Sequence, residues 1–123
     1  MRSTAIPAVV YAGVIIGLSS IPGKSFPDLN WLSYDKLIHI GEYMIFGFLV
    51  SHMLRKSIPH RYYLLLFTLL LAGTFGGLDE LYQQLIPGRL PSYRDWLADV
   101  VGVLTGSLIY IAVKFNRAQA STR

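Results

Sequence analysis

Residues 62–89 read YYLLLFTLLLAGTFGGLDELYQQLIPGR. The stretch from Tyr62 to Phe75 carries no charge and is apolar enough to lie in lipid, yet Asp79, Glu80, Gln83, Gln84 and Arg89 follow it directly. A charged side chain at the centre of a membrane helix costs about 2.5–3.5 kcal/mol on insertion scales, so such groups face protein or water and take partners. The segment therefore predicts a membrane helix whose far end meets a polar site built with other parts of the chain.

The composition agrees with a membrane protein. Of the 123 residues, 53% are hydrophobic and only 15% charged, against about a quarter charged in soluble domains. The length suits one domain, residues 1–123. The net charge of +4 comes from basic residues scattered among apolar runs, with no basic stripe interleaved with aromatics, which excludes nucleic acid as a partner. The absence of cysteine excludes disulfides, thiolate metal ligands and a cysteine nucleophile.

Hydropathy predicts an all-α, polytopic membrane protein, a bundle of four transmembrane helices over about residues 4–21, 35–54, 62–85 and 93–115. The first run is longer than a usual signal-peptide core and carries no clear A-x-A site, which favours a retained span over a cleaved one. Residues 22–34, PGKSFPDLNWLSY, read as a loop, with Trp31 and Tyr34 at the membrane interface. Ser92 and Asp95 form an S-x-x-D variant of the capping box that starts the fourth helix.

Short loops rich in lysine and arginine stay in the cytoplasm. Arg2, then Arg55, Lys56 and Arg61, then Lys114, Arg117 and Arg123 occupy alternate ends of the spans, so both termini are expected to be cytoplasmic. Every acidic residue, Asp28, Asp35, Glu42, Asp79, Glu80, Asp95 and Asp99, falls at or near the opposite ends. The functional face is expected on the periplasmic or extracellular side of a bacterial cytoplasmic membrane.

Helical spacing groups these residues further. Asp35, His39 and Glu42 stack at i, i+4, i+7, with Lys36 and Tyr43 on a neighbouring face. Asp79 and Gln83 lie four apart, Glu80 and Gln84 take the adjoining stripe, and Asp95 and Asp99 repeat the device. Gly102 and Gly106 extend that last face as a small-residue surface for close helix approach. Each feature also has an ordinary explanation. Asp95 suits a helix N-terminus; Glu80 with Arg89 or Arg94 would make an interfacial salt bridge; His39 would serve as a neutral packing residue; Tyr43 and Tyr93 would anchor at the interface. The gathering of acids on three helix ends favours one shared cleft, in which Lys36, Arg89, Arg94 and a protonated His39 would balance the carboxylates.

DKLIHIGEY (Asp35 to Tyr43), DELYQQLIPGR (Asp79 to Arg89) and DWLADVVGVLTG (Asp95 to Gly106) together resemble the VanZ-like membrane proteins, a family named for a protein linked to low-level resistance to the glycopeptide teicoplanin. The resemblance covers roughly residues 30–110 and rests on Asp35, Lys36, His39, Tyr43, Asp79, Glu80, Gln83, Arg89, Asp95, Gly102 and Gly106. Asp99 departs from it, standing where the family pattern has asparagine. The resemblance implies a cell-envelope role and the same four-helix layout.

Three functions are open at this point. In the first, the protein binds a membrane lipid or a lipid-linked, cell-wall-related ligand and affects glycopeptide susceptibility, with Lys36, Tyr43, Gln83, Arg89 and Arg94 as ligand contacts. In the second, it is an intramembrane enzyme acting on a lipid-linked phosphate. Asp35, His39, Asp79, Glu80 and Asp95 are its catalytic candidates, and His39, Asp79, Glu80, Asp95 and Asp99 could ligate Mg, Mn or Zn, although no signature such as H-E-x-x-H is present. The third is a proton-coupled carrier, which four short helices make poorly unless the chain oligomerises.

Overall fold

The computed structural model describes residues 2–23 and 32–120. Asp28 and Trp31 lie outside the described residues, as do the side chains of Arg2, Tyr34 and Arg123. The described chain is all-helical: α1 (Arg2–Ser19), α2 (Leu32–Leu54), α3 (Arg61–Gln83) and α4 (Tyr93–Ala120).

Three segments, Asp35–Leu54, Arg61–Gln83 and Tyr93–Arg117, are long and apolar enough to cross a membrane, and Ser3–Ser19 is a shorter apolar helix. The first span thus stops two residues earlier than hydropathy alone suggests. Ser20 N–H reaches back to Ile16 O at 3.0 Å and Ile21 N–H to Leu18 O at 3.2 Å, a tightened last turn before Pro22. At roughly 1.5 Å per residue α1 is about 27 Å long, slightly under the ~30 Å of a hydrocarbon core.

Burial is distributed inside-out relative to a water-soluble bundle. Val9, Leu70, Leu78 and Leu108 are exposed, whereas Asp79, Glu80, Gln83, Asp95, Asp99 and Ser107 are buried. Water would reverse that arrangement; lipid around the bundle accounts for it, because apolar side chains lose nothing against acyl tails and polar atoms have partners only inside.

α2 is the central element and packs against all three others, most extensively against α4. Glycine makes this crossing. A Cβ on Gly106 would overlap the Met44 carbonyl, one on Gly102 would lie 2.9 Å from Met44 N, and one on Gly47 would lie 2.7 Å from Val103 Cα. The small-residue face of α4 therefore brings backbone against backbone. The apolar core draws on all four helices, with Val103 from α4, and centres on Phe46, which meets Tyr11, Tyr43 and Phe75 at centroid distances of 6.3, 5.9 and 5.0 Å. Toward the opposite end of the bundle from the acids, the polar contact between α2 and α3 is the hydroxyl pair Ser51–Thr68 at 3.2 Å.

The loop after α3 closes the acidic end. Gly88 takes φ 76°, which glycine adopts without strain, and Gly23 N–H donates to Pro87 O at 3.1 Å. A side chain on Gly23 would overlap the Gly88 carbonyl.

Replacing Gly106 by leucine should destabilise the detergent-solubilised protein by about 1–3 kcal/mol or more through overpacking. Gly13→Ala, whose added Cβ meets nothing within 4 Å, should leave the melting temperature unchanged or raise it. Thermal unfolding followed by size-exclusion chromatography compares the two.

Candidate functional site

The polar residues of α2, α3 and α4 converge at one end of the bundle, beside the C-terminus of α1. Most sit at helix positions that would otherwise be core. Asp99 is fully buried, Asp79 is 3% and Glu80 7% exposed.

On the α2–α4 side, Lys36 Nζ pairs with Asp95 Oδ1 and lies 3.4 Å from Asp35 Oδ2. One turn further in, His39 Nδ1 and Asp99 Oδ1 are 2.8 Å apart, with His39 Nε2 3.9 Å from Asp35. His39 is therefore bound into the cluster between two carboxylates and is no isolated packing residue. Gly76 of α3 makes room for this pair, since a Cβ there would approach Tyr43 Cε1 at 3.1 Å and Asp99 Oδ2 at 3.3 Å.

On the α1–α3 side, Asp79 Oδ2 accepts from Ser19 Oγ at 2.7 Å, Gln83 Nε2 at 3.2 Å and Tyr43 OH at 3.5 Å. Tyr43 is fully buried, so it serves here as a donor inside the bundle and not as an interfacial anchor. Tyr93 is 70% exposed. Ser20 and Tyr82 join α1 to α3 a second time, with their hydroxyl oxygens 2.8 Å apart.

Glu80 does not form the expected salt bridge with Arg89 or Arg94. Its Oε2 instead accepts the Ser92 backbone N–H at 3.1 Å, while Ser92 Oγ accepts the Arg94 N–H at 3.2 Å. The start of α4 is thus a capping box completed from another helix: Glu80 of α3 takes the role that the S-x-x-D spacing offered to Asp95, and Asp95 is engaged by Lys36.

The two arginines are separated from each other. Arg89 donates from Nη2 to Leu18 O at 2.8 Å and from Nε to Ile21 O at 3.0 Å, adding a charged donor to the carbonyls at the end of α1. Arg94 is exposed, with its guanidinium 5.9 Å from the Tyr93 ring centroid. Gln84 is exposed as well. Asp35, Lys36, His39, Tyr43, Asp79, Glu80, Gln83, Asp95 and Asp99 are brought together; Arg89 borders the group, and Arg94 lies outside it.

Among the described residues, four buried oxygens in this region accept no hydrogen bond: Glu42 Oε1, Asp79 Oδ1, Glu80 Oε1 and Asp99 Oδ2. With Glu42, which sits among them, six carboxyl groups outnumber Lys36, His39 and the bordering Arg89, so the cluster is rich in acidic groups. Sequence reasoning missed Ser19, Ser20, Tyr82 and Trp96, whose Nε1 donates to Gly73 O at 2.9 Å. The two serines closing an apolar helix at the level of the acids were the available signal.

A family model, VanZ/LLP1, matches residues 6–114. The chain belongs to that family. The match extends the resemblance carried by α2 to α4 back through α1, in keeping with the Ser19 and Arg89 contacts that tie α1 to the cluster. The chain matches no curated protein and no solved structure. It is thus a VanZ/LLP1-family multi-pass membrane protein with its most polar side chains gathered at one end.

Arg89→Ala should cost about 1.5–3 kcal/mol, the value of hydrogen bonds from a charged donor, and should loosen the last turn of α1. Arg94→Ala should stay within about 0.5 kcal/mol of the parent, as exposed substitutions do. Thermal melts of both variants, with hydrogen exchange over residues 16–23, check the difference.

Proposed function

We propose that this VanZ/LLP1-family protein binds an amphiphilic, lipid-linked ligand of the cell envelope, with the polar head at the acidic cluster and the apolar chain between α3 and α4. One observation carries this reading. A groove of about 750 Å³ runs along α3 and α4, walled by Leu66, Leu70, Leu78, Trp96, Leu97 and Val100, and Glu80 belongs both to its lining and to the cluster. Its volume lies in the usual range of about 300–1,000 Å³ for small-molecule sites, and its walls face the lipid from which such a ligand would enter.

The groove alters which residues serve the ligand. Arg89 holds the end of α1 and Arg94 is exposed, whereas Lys36 pairs with Asp95 inside the cluster, so Lys36 is the cation this reading assigns to the head group. Glu80 and Ser92 form the polar rim. Ligand capture at this site is the means by which the protein would affect glycopeptide susceptibility, the property that gave the family its name. A second reading, an enzyme acting on a lipid-linked phosphate, is favoured by the His39–Asp99 pair, half-buried at His39 and fully buried at Asp99, which has the composition of a general acid/base dyad. Turnover of a lipid phosphate by purified protein, lost in His39→Asn, would favour it over binding alone.

Photo-crosslinking with a diazirine-bearing zwitterionic phospholipid tests the groove. Labelling is expected on α3 and α4, and Gly77→Leu, which fills the groove beside Trp96, should weaken it about tenfold, equivalent to ~1.4 kcal/mol. Unchanged labelling in that variant would reject the groove.

The positive-inside pattern supports an outward-facing cluster. Because the chain has no cysteine, Leu90→Cys introduces a single thiol at a position 89% exposed. A membrane-impermeant maleimide should modify it in spheroplasts. Protection until lysis would place the cluster on the cytoplasmic side.

A further inference from the structure

We propose that His39, Glu80 and Asp99 form a binding site for one divalent transition-metal ion, of the manganese or zinc class. One ligand atom from each of the three residues lies within 4.8 Å of the other two. They come from three different helices, α2, α3 and α4, so the fold and not local sequence makes the grouping.

Proximity of acids alone would not argue for an ion. The second observation is the state of the oxygens. Asp99 is fully buried and Glu80 is 7% exposed, and each keeps one oxygen without a hydrogen-bond partner, Asp99 Oδ2 and Glu80 Oε1. A buried carboxylate is normally paired or coordinated, because leaving it bare in a low dielectric is costly. The partners present do not meet this need. Ser92 N–H occupies Glu80 Oε2, His39 occupies Asp99 Oδ1, and the ion pairs of Lys36 go to Asp35 and Asp95.

That last fact separates two neighbouring groups. Asp35, His39 and Asp95 also lie close enough to share an ion, but Lys36 already supplies their positive charge. Among the described residues no lysine does so for the group of His39, Glu80 and Asp99. Oxygen ligands around an ion with bonds of about 2.0–2.3 Å sit roughly 3–4.5 Å apart, so small side-chain rotations suffice to close the site. His39 would bind through a deprotonated ring nitrogen, and Asp99 would turn from hydrogen-bond acceptor to ligand.

The donor set chooses the ion. One imidazole with two carboxylates and no thiolate suits manganese or zinc better than magnesium, which favours all-oxygen coordination, or copper(I), which favours sulfur. The site does not rest on the lipid-binding reading, since it is defined without the groove.

The test is metal binding by the full-length chain, purified in detergent and stripped with EDTA. Mn²⁺ is titrated by loss of the free-ion EPR signal, and Zn²⁺ by competition with a chromophoric chelator. The wild type should bind one ion per chain, and Glu80→Gln and Asp99→Asn should each weaken binding about tenfold or more, as expected for loss of a charged ligand. Glu80→Gln keeps an oxygen for the Ser92 N–H and so guards against a folding artefact if Asp99→Asn does not express. Asp35→Asn, in the lysine-paired group, should leave affinity within about threefold, under 0.7 kcal/mol. The absence of saturable binding in the wild type overturns the proposal, as does equal affinity in Glu80→Gln, or a larger loss in Asp35→Asn than in Glu80→Gln. A carboxylic-acid carbonyl band in the infrared, removed by Asp99→Asn, would show that a shared proton takes the place of the metal. Lipid crosslinking is read separately, so either result leaves the other standing.

Discussion

A carboxylate at membrane depth has no solvent to turn to, and the arrangement of this bundle follows from that constraint. Asp79, Glu80, Asp95 and Asp99 sit on helices whose outer surfaces are leucine, valine and isoleucine. Each must therefore be served from inside, by a neighbouring helix or a loop. Ser19 and Gln83 serve Asp79, Lys36 serves Asp95, His39 serves Asp99, and the Ser92 amide just before α4 serves Glu80. The polar end of the molecule is the set of these solutions.

Two structural devices make them available. The glycines at the α2–α4 crossing remove the side chains that would hold the backbones apart, which brings His39 and Lys36 within reach of Asp99 and Asp95. Arg89 draws the end of α1 against the loop that follows α3, which sets Ser19 over Asp79. An arginine that looks like a ligand contact in the sequence thus positions a helix. The same trade appears at the start of α4, where Glu80 caps and Asp95 is released to meet Lys36.

The cluster is nevertheless incompletely served. Four carboxylate oxygens among the described residues have no partner, and two of them, on Glu80 and Asp99, lie with His39 where α2, α3 and α4 meet, beside a groove open to lipid. Polar groups left in this state are expensive for a fold and characteristic of sites that bind something. The groove and the acidic end share Glu80, which links an apolar surface to a polar cluster in a single residue. Membership of the VanZ/LLP1 family agrees with this layout and leaves the chemistry to be read from the residues.

Much of this was legible in the chain. Apolar run lengths defined α2, α3 and α4, the i, i+4 spacing of Asp35 with His39 and of Asp95 with Asp99 put those residues on common faces, and Gly102 and Gly106 marked a close helix contact. Helix geometry makes these local inferences sound, because residue number fixes both height and azimuth on a helix. Which group meets which was decided by the tertiary structure: Lys36 takes Asp95, His39 takes Asp99, Glu80 takes the Ser92 amide, and Arg89 and Arg94 part company. Those pairings depend on how each helix is rotated and how closely it crosses its neighbours, distances set by contacts between residues some 60 positions apart, which spacing along one helix does not encode.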